Sequence, residues 1–203
     1  MLGGYMLFGG AAAGYHALGK NWYLLAQTLG SMAAVWAILG MLRLAGVKPV
    51  YPAYAVIIGF TFAAYTLGVG CALYKILPGY DKLLHMFSGT LTMMLALPLF
   101  YCLKAGHRVE KSDCALAVGF CLTTALAVAG VWELAEYAVS LLAGIDPQCV
   151  QATGVGDTMK DMLVCTLGAG LAVPSLIRFY REGRGGILFG WTEIFLEKNL
   201  RSA

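Results

Sequence analysis

Charge is what this sequence lacks most. Only 12% of its 203 residues are Asp, Glu, Lys or Arg, against the roughly 25% usual in soluble domains. Apolar residues make up 60% and mean hydropathy is +0.74. Such a chain cannot clothe a water-soluble globule in polar surface, and the same scarcity excludes disorder and nucleic-acid binding. The first 19 residues hold no Asp, Glu, Lys or Arg, so the basic start of a secretory signal is missing. Also missing are a Cys-x-x-Cys pair, a phosphate-cradling glycine loop, a serine-nucleophile motif, any internal repeat and any low-complexity tract. Cysteines number six, and Cys102, Cys114, Cys121 and Cys165 lie in apolar runs. They read as small buried hydrophobes rather than a disulfide framework. Cys71 and Cys149 alone are placed for a bridge near one membrane face.

What is present is a series of long apolar runs. Crossing the hydrocarbon core takes about 20 apolar residues in a helix. Runs of that kind cover about 21–42, 50–76, 81–103, 115–143 and 157–178, joined by short links. Short links imply antiparallel neighbours. The expected fold is therefore an all-α integral membrane protein, one membrane domain over 1–203 with five transmembrane helices. A sixth span arises only if residues 1–19 cross. Their six glycines weaken an isolated helix, which favours a re-entrant or interfacial segment. Residues 186–203 put Ile187, Trp191, Ile194 and Phe195 on one helical face, which suits an amphipathic helix lying in the cytoplasmic interface. Lys and Arg fix the orientation: ten fall on the side of the Arg43–Lys48 link and the tail, four on the other. The C-terminus is expected in the cytoplasm, and the protein in the inner (plasma) membrane as a multi-pass chain.

Ionisable groups inside a bilayer each cost roughly 2.5–3.5 kcal/mol on insertion scales and so ask for a partner or a purpose. The third span opens with Asp81, Lys82 and His85; the fourth carries Glu133 and Glu136; the fifth opens with Asp157, Lys160 and Asp161. Each span pairs its groups three or four residues apart, on one helix face. All three pairs lie in the outer half. Five carboxylates against two lysines leave an excess of three negative charges, which protons or bound cations must neutralise. Oxygen-rich sites with one imidazole suit Zn, Mg, Mn or Fe. His85, Glu133, Glu136 and Asp161 are the candidate ligands of a divalent metal; Asp157 and Asp81 are candidate general bases, and Lys160 and Lys82 candidate stabilisers of negative charge. Taken singly, Asp81, Lys82 and Lys160 also read as interfacial caps, Asp157 as a helix cap and His85 as a core histidine. His16 and His107 have no partner set.

The residues DKLLHMFSG (81–89), WELAEY (132–137) and GDTMKDMLVCTLGAGLA (156–172), in that order, resemble the bacterial YjdF-like membrane proteins and, more distantly, the VanZ-like superfamily. The resemblance covers about residues 80–172, and the first two spans match in hydropathy only. It implies a small polytopic inner-membrane protein whose motif positions are Asp81, Lys82, His85, Glu133, Glu136, Asp157 and Asp161. Where those families often carry an Asn, this chain has Cys165 or Thr166. VanZ-type proteins are associated with resistance to a glycopeptide antibiotic, with no settled chemistry.

Three functions fit. The first is a divalent-metal-dependent hydrolase or transferase acting on a membrane lipid or a lipid-linked, amphipathic small-molecule substrate. The second is a cation- or proton-coupled small-molecule transporter using the same carboxylates. The third is a non-catalytic partner-binding membrane protein in which the acids are protonated or paired.

Overall fold

A computed structural model describes residues 2–201. It is 84% helical, and no strand occurs among the described residues. Five helices are long and apolar enough to cross a membrane: Trp22–Leu44, Tyr51–Gly70, Tyr80–Leu103, Lys111–Ala143 and Gly156–Glu182. The chain is an all-α, multi-pass membrane protein, as its hydropathy predicts. It divides into two compact units, Met1–Leu84 and His85–Ala203.

In the N-terminal unit the glycine-rich start, whose glycines weaken an isolated helix, forms a continuous helix, α1 (Leu2–Leu18). Its stability comes from packing rather than propensity. Tyr5 is buried with Val35 and Ile58. Gly9 lies so close to Met32 that a Cβ there would meet Met32 Sδ at 2.8 Å. Asn21 caps α2 (Trp22–Leu44), accepting the Leu24 N–H at 3.2 Å. α3 (Tyr51–Thr61) carries Pro52 in its first turn, where no N–H is required. It runs into a nine-residue π-helical stretch, Phe62–Gly70, which Cys71 N–H closes on the Thr66 carbonyl at 3.0 Å. The short α4 (Leu73–Ile76) returns Tyr74 over Gly68, where a Cβ would overlap the tyrosine ring. Tyr80 anchors the following turn by donating to the Ala63 carbonyl at 2.8 Å.

α5 (Tyr80–Leu103) leads into the C-terminal unit. There follow a 3₁₀ turn at Lys111–Asp113, α6 (Cys114–Ala143), the short α7 (Val150–Thr153), α8 (Gly156–Glu182) and α9 (Gly186–Leu196), which continues as a π turn to Arg201. Small residues set the spacing. On α6, Ala117, Cys121, Ala125, Ala129 and Glu133 are all buried, a stripe at steps of four that ends in a carboxylate. α5 and α8 cross backbone to backbone: a Cβ on Gly89 would lie 1.9 Å from the Cys165 carbonyl oxygen, and one on Gly168 1.9 Å from that of Met86. Thr90 Oγ1 fastens the crossing by donating to the Gly168 carbonyl at 2.8 Å. Below it the hydroxyls of Tyr101 and Tyr180 share a buried hydrogen bond. Beyond the end of α5, Lys104 Nζ reaches Asp113 at 2.7 Å and Glu110 at 3.3 Å. These bonds hold the Lys104 ammonium above its ordinary pKa, with the Asp113 hydrogen bond the larger cause.

On α9 the buried side chains are Phe189, Trp191, Thr192 and Leu196, while Ile187 and Ile194 are exposed. Through the buried residues the helix docks against α8, and Ile187 and Ile194 leave apolar surface exposed. Of the four cysteines expected as buried hydrophobes, Cys121 and Cys165 are buried, but Cys102 is exposed and Cys114 half-buried because they lie at helix ends; Cys71 and Cys149 are exposed thiols.

Candidate functional site

The N-terminal ends of α5 and α8 bring three of the predicted residues together. His85 lies five residues into α5 and Asp161 five residues into α8, so helical rise puts both about 7–8 Å below their helix starts. His85 Nε2 stands 3.8 Å from Asp161 Oδ1. The Asp161 side chain is only 4% exposed and that of His85 14%. Asp81 precedes His85 by one turn of the same unbroken helix, which fixes their shared face. One carboxylate oxygen from each aspartate and one imidazole nitrogen lie within 4.8 Å of one another. Lys82 Nζ donates to Asp81 Oδ2 at 3.0 Å, holding that carboxylate from the side. Asp157 sits in the first turn of α8, one turn before Asp161, and Val155 rather than Asp157 is the cap residue. There its charge meets the positive end of the helix. Lys160 is exposed on the same helix.

The two glutamates of α6 take other positions. Three residues apart, they are rotated about 60° from one another on the helix. Glu133 continues the buried Ala129 stripe and is 5% exposed. Glu136 turns toward the outer face, where Trp132 Nε1 donates to its Oε1 at 2.9 Å. Glu133 is gripped by Gln148, whose Nε2 donates to the Glu133 carbonyl at 3.0 Å and to Oε2 at 3.1 Å. Glu133 Oε1 is buried with no hydrogen-bond partner.

Gln148 carried no signal of its own in the sequence. Its neighbours carried one. Gly144 ends α6 in the left-handed conformation, and Asp146 accepts the Val150 and Gln151 N–H groups at 2.8 and 2.9 Å. This turn folds the link back so that Gln148 is buried against α6. Beside Glu133 and Gln148 opens a groove of about 400 Å³, walled chiefly by apolar side chains including Leu134, Tyr137, Val155 and Met162.

A second residue that partner counting missed is His16. It is 4% exposed, and its Nε2 is buried without a hydrogen-bond partner. A Cβ on Gly70 would meet His16 Nε2 and Thr28 Oγ1, each at 3.8 Å.

Chemically, two carboxylates and one imidazole at this spacing can hold a divalent cation while leaving coordination positions open. The glutamate beside the groove is a single acidic acceptor in apolar surroundings. No curated protein and no solved structure matches the chain. Residues 5–182 match a family described as "Predicted membrane protein (DUF2238)". That match runs from within α1 to the end of α8 and includes every residue of the Asp81–His85–Asp161 group, and the chain belongs to this family of membrane proteins.

Proposed function

We propose that the protein is a divalent-metal-dependent enzyme acting on a lipid or lipid-linked substrate, with Asp81, His85 and Asp161 holding the ion. The observation that carries this reading is the convergence of three ligand atoms of two chemical kinds within 4.8 Å, near the N-terminal ends of α5 and α8. Two oxygens and one nitrogen suit Zn, Mg, Mn or Fe. A bound ion of this kind would polarise a phosphoryl or carbonyl oxygen or activate water. Asp157, one turn from Asp161, is placed to take a proton. Lys82, already bonded to Asp81, keeps that ligand oriented, and Lys160 supplies positive charge at the mouth.

Metal analysis of the purified protein tests the reading. About one equivalent of divalent ion per chain is expected, lost in His85→Ala and in Asp161→Asn, with a fall in melting temperature when wild type meets a chelator. Wild type without metal, melting identically with and without chelator, would overturn it.

Cation- or proton-coupled transport is the second reading. The π-helical stretch Phe62–Gly70, the second half of a helix long enough to span, favours it, because π-helical departures from the α-helix recur at functional sites. Uptake into proteoliposomes that is abolished by Asp161→Asn supports transport, and uptake indifferent to that change sinks it. We also place the chain in the inner membrane with a cytoplasmic C-terminus, on the ten-to-four bias of basic residues. A C-terminal reporter active only outside the cytoplasm would reverse that orientation. Kinship with the YjdF-like and VanZ-like proteins rests on the motifs at 81–89, 132–137 and 156–172.

A further inference from the structure

The geometry at Glu133 points to a second site: we propose that the groove beside it binds a primary-amine amphiphile, the ammonium head donating to Glu133 Oε1 and the apolar tail lying along Leu134, Tyr137, Val155 and Met162. This goes beyond the metal reading and uses residues outside the Asp81–His85–Asp161 group.

Four observations select this ligand. Glu133 is 95% removed from solvent and lines the groove, and its Oε1 has no hydrogen-bond partner. Its other oxygen is taken by Gln148, a neutral donor that brings no positive charge. No Lys, Arg or His is among the described residues that line the groove. A ligand that restores both a donor and a positive charge therefore fits better than an alcohol, which brings the donor alone, or a quaternary ammonium, which brings the charge alone. A divalent metal is a poorer occupant, because one carboxylate and one amide fall short of the six or more oxygens a hard cation gathers.

The walls select the rest of the molecule. Apart from Glu133, Gln148 and Thr158 the lining is aliphatic, aromatic or glycine, and the volume of about 400 Å³ is that of a small-molecule site. A single carboxylate in the wall of a mostly apolar groove matches an amphiphile with a small head. The Gln148 clamp also fixes the carboxylate before the ligand arrives, which lowers the ordering cost of binding.

The test uses full-length protein in a neutral detergent at pH 7, with n-octylamine, n-octanol and octyltrimethylammonium as probes at one micelle concentration. Isothermal titration calorimetry measures binding. Octylamine is expected to bind on the order of tenfold or more tightly than either other probe, and Glu133→Gln to erase that preference. Asp161→Asn, which dismantles the proposed metal site, leaves the preference in place, so failure of one site is distinguishable from failure of the other. Should Glu133→Gln not fold, the three-probe comparison on wild type still decides, and Met162→Trp, which fills the groove, should weaken octylamine binding. Equal affinity for the three probes, a preference that survives Glu133→Gln, or a divalent ion lost on that substitution would overturn the proposal. Competition by phosphatidylethanolamine but not phosphatidylcholine in nanodiscs identifies a lipid headgroup as the amine; its absence identifies a free amine.

Discussion

The two units bury polar groups of different kinds. In the N-terminal unit they are His16, Thr28, Ser31 and Thr66; in the C-terminal unit they are Glu133, Gln148, Asp161 and Thr192. The hydroxyls largely satisfy themselves locally. Thr28 Oγ1 donates to the Leu24 carbonyl one turn back, and Ser31 Oγ to that of Thr28, each at 2.8 Å. A carboxylate cannot do this, because it only accepts and every helical N–H nearby is already engaged. Glu133 therefore draws a donor from the loop after α6, and Asp161 faces an imidazole on α5. A buried Thr or Ser hydroxyl can satisfy itself within its own turn of helix, whereas a buried acid dictates what must pack against it.

The sharpest way to break this contrast is at the helix crossings. Gly168→Ala should destabilise the protein by about 3 kcal/mol or more, because its Cβ would strike the Met86 carbonyl, which is backbone and cannot swing away. Gly170→Ala on the same helix has nothing within 4 Å and should be neutral or gain up to about 1 kcal/mol. In the N-terminal unit Gly9→Ala meets only the flexible end of Met32, and a cost below about 1 kcal/mol is expected. Unfolding free energies of the three variants in detergent check the order. A Gly168→Ala protein as stable as wild type would mean that α5 and α8 do not cross so closely.

A smaller effect sharpens the carboxylate side. Gln148→Ala removes the donor from Glu133 and should cost about 1–3 kcal/mol. Replacing both, as Glu133→Met with Gln148→Leu, should recover most of that loss, since the apolar pair leaves nothing unsatisfied. A double variant no more stable than Gln148→Ala would show that the clamp matters for something other than the buried acid.

Much of the C-terminal unit was legible because charge in an apolar run is conspicuous. His85 and Asp161 could be brought together from helix spacing alone. What counting charges could not supply was rotation. Glu133 and Glu136 look like a pair at three-residue spacing, yet the four-residue stripe Ala117, Cys121, Ala125, Ala129 points at Glu133 only. Glu136 falls about 60° away and meets Trp132 instead. The N-terminal unit was harder to read, since hydroxyls and one histidine leave no mark in a charge scan. The continuous α1 was hard to read for a related reason: its glycines weaken a lone helix but allow the close approach to α2 that stabilises it.

The N-terminal hydroxyls give a test of opposite sign. Thr66 Oγ1 is fully buried without a hydrogen-bond partner. Thr66→Val, nearly the same shape, should therefore raise stability by up to about 1 kcal/mol. Thr28→Val should not, because its hydroxyl is bonded to Leu24. Destabilisation by Thr66→Val, measured by the same unfolding assay, would mean that the hydroxyl is satisfied in the membrane and that the two units differ less than their buried groups suggest.

The smallest effect lies at the edge of the C-terminal unit, where pH separates it from its neighbour. Lys104 is bonded to Asp113 and Glu110, and its ammonium is held above its ordinary pKa of 10.5. A raised pKa means that the stabilisation is complete below 10.5 and is lost as pH rises through the higher value of the folded state. Wild type should lose more melting temperature than Lys104→Met on going from pH 10 to more alkaline buffer. Hydrogen exchange should place that loss between Lys104 and Asp113, with the amides of α1 and α2 unchanged. Parallel alkaline curves for the two proteins would mean that the clasp contributes nothing, as exposed ion pairs often do, and that the turn before α6 is held by its capping box alone.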